Sequence, residues 1–130
     1  MSEEEDRAPR IRVMLVEDQV DFRRMIVALL DRQPDLEVVA QAGSLAEARG
    51  YAATLRFEVT ILDLGLPDGH GADLIADLRE GNPGAAVLVL SASLDPKNLD
   101  RATKAGADRV LDKFATPDEI LGTVRRLGGV

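Results

Sequence analysis

Five side chains suited to acid, nucleophile or cation chemistry stand where apolar runs stop. Glu17 and Asp18 follow the run 10–16, Asp63 follows 59–62, Ser91 follows 85–90, and Lys113 follows 109–112. Three carboxylates brought to one crevice repel each other and resist ionising together. A hard divalent cation resolves that conflict, and a site of carboxylates, carbonyls and water suits Mg2+. With the metal in place, a carboxylate becomes a nucleophile toward an activated phosphoryl group. The metal, the Lys113 ammonium and the Ser91 hydroxyl then share the charge on the equatorial phosphoryl oxygens. Asp63 is the centre of the set, because a lone acid at the end of a buried run needs a cationic partner.

These side chains meet only if their runs are strands of one sheet, and the intervening segments are built to allow that. Residues 19–33 place Phe22, Met25, Ile26, Leu29 and Leu30 at helical spacing and stop before Pro34. A short strand follows over 35–41, and Ser44 with Glu47 forms a capping box opening a second helix to about Arg56. Ala72, Leu74, Ile75 and Leu78 mark a third helix, ended near Gly81-Asn82-Pro83-Gly84. Asp95 ahead of Pro96 starts a fourth, and Thr116 with Glu119 starts a last one carrying Leu121, Val124 and Leu127. Near-continuous apolar strands alternating with amphipathic helices predict an α/β fold with a parallel sheet covered on both faces. Right-handed crossovers leave few topologies, and ligands of such sheets sit at the carboxyl ends of the strands.

A chain of 130 residues with 45% hydrophobic and 30% charged residues fits one globular domain. Residues 1–9 read as a flexible acidic tail ahead of a domain over 10–130, closed off by Pro9. No apolar run approaches the roughly 20 residues that span a bilayer, and no secretory signal opens the chain. The absence of cysteine excludes disulfides and thiolate metal sites and is compatible with a cytoplasmic protein. A net charge of −7 with one Tyr and three Phe argues against non-specific nucleic-acid binding by this domain.

Taken together and in order, Glu17-Asp18, Asp63-Leu-Gly-Leu-Pro-Asp-Gly69, Val89-Leu-Ser91-Ala and Asp112-Lys113 resemble the receiver domain of two-component response regulators. The likeness covers about residues 10–127. It implies a flavodoxin-like three-layer sandwich with a five-stranded parallel sheet of order 2-1-3-4-5. It implies a phosphoacceptor at Asp63, and Mg2+ held by Asp18, Asp63 and the Gly65 main-chain carbonyl, with Glu17 acting through water. Ser91 would be the switch hydroxyl and Lys113 the phosphate-binding lysine. The phosphoryl donor would be a histidine on a partner sensor kinase or phosphotransfer protein. The switched surface would be that of the fourth helix, fifth strand and fifth helix, with Lys97, Asp100, Arg101, Lys104, Arg109 and Arg125 making it fit for docking or homodimer pairing. The stretch 36–49 looks like receivers joined to helix-turn-helix output domains, so either a stand-alone receiver or part of a transcriptional regulator is expected.

The chain departs from the family pattern in several places. Val110 stands where an aromatic switch residue is common, and Phe114 where a proline often follows the lysine. Gly65 and Ser93 are small and uncharged, leaving little bulk over the acceptor. His70 after the Asp68-Gly69 turn is expected to be exposed, and Asp112 to be a surface charge. Other chemistries fit less well. A haloacid-dehalogenase-type phosphatase needs a second acid two residues after its nucleophile, where this chain has Gly65. A flavin carrier needs a phosphate-cradling loop where Glu17-Asp18 stand, and no G-x-G-x-x-G follows a strand. A degenerate receiver serving only for docking is the non-catalytic rival, and the intact acid, hydroxyl and lysine set argues against it.

Overall fold

A computed structural model describes residues 10–92 and 94–129; the acidic segment 1–9, Ser93 and Val130 lie outside the described residues. In chain order the elements are β1 (Ile11–Val16), α1 (Val20–Asp31), β2 (Leu36–Ala42), α2 (Leu45–Thr54), β3 (Val59–Leu62), α3 (Gly71–Gly81), β4 (Ala86–Ser91), α4 (Pro96–Ala105), β5 (Arg109–Asp112) and α5 (Pro117–Leu127). The strands form one parallel sheet in the order β2-β1-β3-β4-β5, as the family resemblance implies. Between β3 and α3, Gly65–Leu66 pairs antiparallel with Gly69–His70, a small ladder that the Pro/Gly composition alone did not indicate.

The strand period of two distributes the core to both sides of the sheet. Val13, Leu15, Ile61, Leu88 and Leu90 face α1 and α5, where they pack with Ile26, Leu30, Ile120 and Val124. Met14, Val16, Leu62, Val87 and Val89 face the other side, against Leu45 of α2, Leu74 and Ile75 of α3 and Ala102 of α4. Burial on both faces is why these strands read as apolar runs and not as alternating patterns.

The helices start where the sequence places its caps. The Ser44 hydroxyl accepts from the Glu47 amide at 3.1 Å, Asp95 from Asn98 at 2.8 Å, and Thr116 from Glu119 at 3.2 Å. The Glu47 carboxylate closes the box one residue early, accepting from the Gly43 amide at 3.1 Å. A further cap comes from far along the chain: Asp68 accepts from the Leu45 and Ala46 amides at 2.8 and 3.0 Å. Those two bonds hold its carboxyl below the usual range and fasten the turn after β3 to the start of α2.

One expected surface residue is placed elsewhere. Arg125 does not belong to the α4–β5–α5 face; its guanidinium grips Asp35 at 2.8 and 3.1 Å and Gln33 at 2.8 Å, tying α5 to the loop before β2. The physical reason is the planar fork of arginine, which pairs bidentately with a carboxylate within reach.

Candidate functional site

Backbone hydrogen bonds at the carboxyl edge of the sheet fix where the chain leaves each strand. The Glu17 amide donates to Ala42 O at 2.8 Å, Asp63 to Val16 O at 3.1 Å, and Lys113 to Ser91 O at 3.2 Å. The Arg23 guanidinium adds a bond of 2.7 Å to Glu17 O. The five residues singled out from the sequence therefore arrive at one edge. Asp18, Asp63, Gly65, Ser91 and Lys113 line a cleft of about 330 Å3, with His70 and Asn98 on its far wall. A neighbouring hollow of about 420 Å3 under Met25, Leu29 and Phe114 is mostly apolar, and no acid among the described residues lines it, so it is not where the chemistry lies.

The carboxylates of Glu17, Asp18 and Asp63 bring oxygens within 4.8 Å of one another. Glu17 is buried, Asp63 is buried at 9% exposure, and Asp18 is exposed. The Lys113 ammonium sits among them, 2.6 Å from Glu17 Oε1 and 3.1 Å from Asp63 Oδ2. Glu17 Oε2 is buried and has no hydrogen-bond partner among the described residues, an arrangement costly to keep unless something cationic or protonated meets it. An oxygen-only donor set with an orphaned buried carboxylate oxygen fits Mg2+.

Burial, and after it the charge of Asp63, pushes the Glu17 carboxyl up to about 7 although Lys113 pulls the other way. Burial would lower the Lys113 ammonium, but its hydrogen bonds to Glu17 and Asp63 outweigh that and raise it, so it stays charged. Glu17 thus takes up a proton on folding between its unfolded value of 4.5 and about 7. The metal-free chain is therefore expected to lose stability as pH rises through that interval. Mg2+ needs the ionised carboxylate, so its affinity should rise over the same interval. Urea midpoints in EDTA and in Mg2+ at about pH 5 and about pH 8 check this: the EDTA midpoint falls with pH, and Mg2+ reduces or reverses the fall. Equal pH slopes with and without the metal would contradict it.

The response regulator receiver domain profile matches residues 13–125. The chain belongs to this family. As a receiver it is 36% identical over 91% of its length to the DNA-binding transcriptional activator DevR/DosR of Mycobacterium tuberculosis, covering 54% of that protein. It is 36% identical over 88% of its length to the transcriptional regulatory protein UhpA of Salmonella typhimurium, covering 57% of it. The receiver thus spans about half the length of these curated relatives. The solved receiver domain of the response regulator NarL from Mycobacterium tuberculosis superposes with a TM-score of 0.86 at 30% identity, over 93% of this chain and 98% of that one. Among the described residues, no helix is long and apolar enough to cross a membrane.

Other sequence expectations meet the structure unevenly. His70 is half-buried, not exposed: its Nδ1 accepts from the Ala72 amide at 3.1 Å and caps α3. That leaves the proton on Nε2, which donates to Asn98 Oδ1 at 3.2 Å. An imidazole is an unusual N-cap, and no pattern of apolar spacing reveals it. Asp112 is exposed and accepts from the Phe114 amide at 2.7 Å, bending the chain just after β5. Val110 is half-buried against the core beside α4, and the aromatic Phe114 stands 89% exposed on the rim. Gly65 is exposed, and among the described residues nothing lies within 4 Å of where a Cβ would stand.

Proposed function

We propose that this receiver is a phosphorylation-dependent signalling switch that accepts a phosphoryl group on Asp63 from a histidine of a partner sensor kinase or phosphotransfer protein. The observation that carries this is Asp63 at the floor of the cleft with the Lys113 ammonium 3.1 Å from its Oδ2 and two further acids beside it. In the transfer, an Asp63 carboxylate oxygen bonds to phosphorus as the phosphorus–nitrogen bond to the donor imidazole breaks. The electron pair stays on that nitrogen, which takes a proton from water. Lys113 supplies a fixed positive charge to the phosphoryl oxygens, and Ser91, at the end of β4 in the same cleft, supplies a hydroxyl donor. Asp18, Asp63 and the Gly65 carbonyl would hold Mg2+, with Glu17 acting through water, and the bound ion would neutralise charge on the transferring group.

A phosphoryl group adds charge and acceptors that Ser91 and Lys113 engage, shifting the population of the α4–β5–α5 surface, which also offers a homodimer contact. Exposed Met25 and Phe114 line the neighbouring apolar hollow, and exposed Val20 follows Gln19 of the cleft, so a donor protein finds apolar surface to cover there. The transcriptional regulators among its relatives support an output on transcription, with this domain as the receiver part or acting alone in the cytoplasm. DNA contact would then fall to another domain, since this one carries a net charge of −7.

Incubation with acetyl phosphate and Mg2+, followed by intact mass, tests the reading. One phosphoryl group is expected to be gained, and Asp63→Asn or excess EDTA to abolish the gain. No gain by the unaltered chain would leave only a docking module; a gain that survives Asp63→Asn would place the acceptor elsewhere.

A further inference from the structure

The Lys113 ammonium has three N–H donors. Each has an acceptor: Glu17 Oε1 at 2.6 Å, Gln19 Oε1 at 3.0 Å and Asp63 Oδ2 at 3.1 Å. The face of Phe22 lies 4.7 Å from the nitrogen, measured to the ring centroid, and completes the enclosure. Glu17 and Asp63 belong to the acidic cluster. Gln19 and Phe22 do not, and neither has a carboxylate to offer a metal.

Gln19 departs from its local role. It occupies the N-cap of α1, where a side-chain acceptor normally turns inward to a free amide of the first turn. Here the side chain makes no cap hydrogen bond and its amide oxygen goes to Lys113. Phe22 packs from the first turn of the same helix onto the core beside α1 and α5, so its ring is fixed when it faces the ammonium. On phosphorylation the donor now on Asp63 passes to the phosphoryl group, whose three acceptor oxygens also draw a second donor from Lys113, released by Glu17 or Gln19. Glu17 holds its donor by a short, charge-assisted bond, whereas Gln19 is a neutral acceptor on the exposed rim and the one most readily released.

We propose that Gln19 and Phe22 are positioning residues for Lys113: the amide keeps one donor oriented until the phosphoryl group takes it over, and the ring keeps the ammonium from swinging out of the cleft. This rests on the reading of Asp63 as phosphoacceptor. With acetyl phosphate as donor, an Asp63 oxygen bonds to phosphorus, the phosphorus–oxygen bond to the acetyl group breaks, and acetate leaves with the electron pair.

The test compares the unaltered chain with Gln19→Leu, Phe22→Leu, the double variant and Phe22→Tyr. Three readouts are taken: the initial phosphorylation rate by intact mass, the Mg2+ affinity by amide-shift titration, and the NMR signal of the Lys113 ammonium. Phe22→Leu is expected to slow phosphorylation about five-fold and Gln19→Leu about three-fold. Both should broaden the ammonium signal while leaving Mg2+ affinity in place, and Phe22→Tyr, which keeps the ring face, should restore rate and signal. If the unaltered chain gains no phosphoryl group, the reading of Asp63 fails. If it is phosphorylated and the leucine variants match its rate, only the role of Gln19 and Phe22 is overturned. Parallel losses of rate, Mg2+ affinity and melting temperature in every variant, Phe22→Tyr included, would overturn it as well.

Discussion

Lys113→Met should destabilise the metal-free chain by about 3 kcal/mol at about pH 8, and by clearly less at about pH 6. The substitution keeps length and apolar stem but removes the one cation that, among the described residues, touches both Glu17 and Asp63, at 2.6 and 3.1 Å. Removing one partner of a buried ion pair costs far more than the pair contributes, because the other charge is left without compensation. Here two carboxylates are left, and they also repel each other. Glu17 has an escape: its carboxyl already lies up at about 7 through burial, so at lower pH it takes a proton and the conflict disappears. Saturating Mg2+ should offset much of the remaining loss, since the cation supplies the positive charge the lysine no longer does. Urea denaturation of both chains at the two pH values, with EDTA and with Mg2+, separates these contributions. A loss independent of pH and of Mg2+ would mean that Lys113 acts by packing alone.

The positions of the five principal side chains were legible because each stands directly after an apolar run, and strand ends are the one place where a parallel sheet exposes its loops to a ligand. The sheet order needed the family resemblance, since alternating strands and helices alone permit several arrangements. What stayed hidden depends on contacts between residues far apart in sequence. Asp68 reads locally as a turn residue, yet its two bonds go to Leu45 and Ala46, 23 and 22 positions away. Arg125 reads as a charge on a solvated helix face until Asp35, 90 positions distant, is seen beside it. The periodicity of α1 marks Phe22 as core-facing, which is correct, but cannot tell that Lys113 lies over its ring. Apolar patterning reports which face is buried and is silent on which polar group a rotamer reaches.

Gly71→Ala is expected to be nearly as costly, and for a reason that lies in the backbone behind Asp63. A Cβ at Gly71 would stand 2.5 Å from the Asp63 carbonyl oxygen, 2.5 Å from Leu62 Cδ1 and 3.0 Å from Leu64 Cα. Two of those three atoms are main chain, and the Gly71 amide is itself bonded to Leu64 O at 2.7 Å, so the strand end and the helix start cannot separate without breaking that bond. Overpacking of this kind costs about 2–3 kcal/mol, which the better helix propensity of alanine, about 1 kcal/mol in a helix interior, does not offset at the first residue of α3. The yielding segment would be the one that carries Asp63, so Mg2+ affinity and phosphorylation rate should fall along with the urea midpoint. Gly81→Ala, at the other end of the same helix with nothing among the described residues within 4 Å of its Cβ, is the control and should leave all three unchanged or slightly improved. Should Gly71→Ala match that control in stability, α3 and the end of β3 would have room between them that the close approach of their backbones denies. Should stability fall while Mg2+ affinity holds, the strain would be absorbed by α3, and the position of Asp63 would be set by its bond to Val16 O alone.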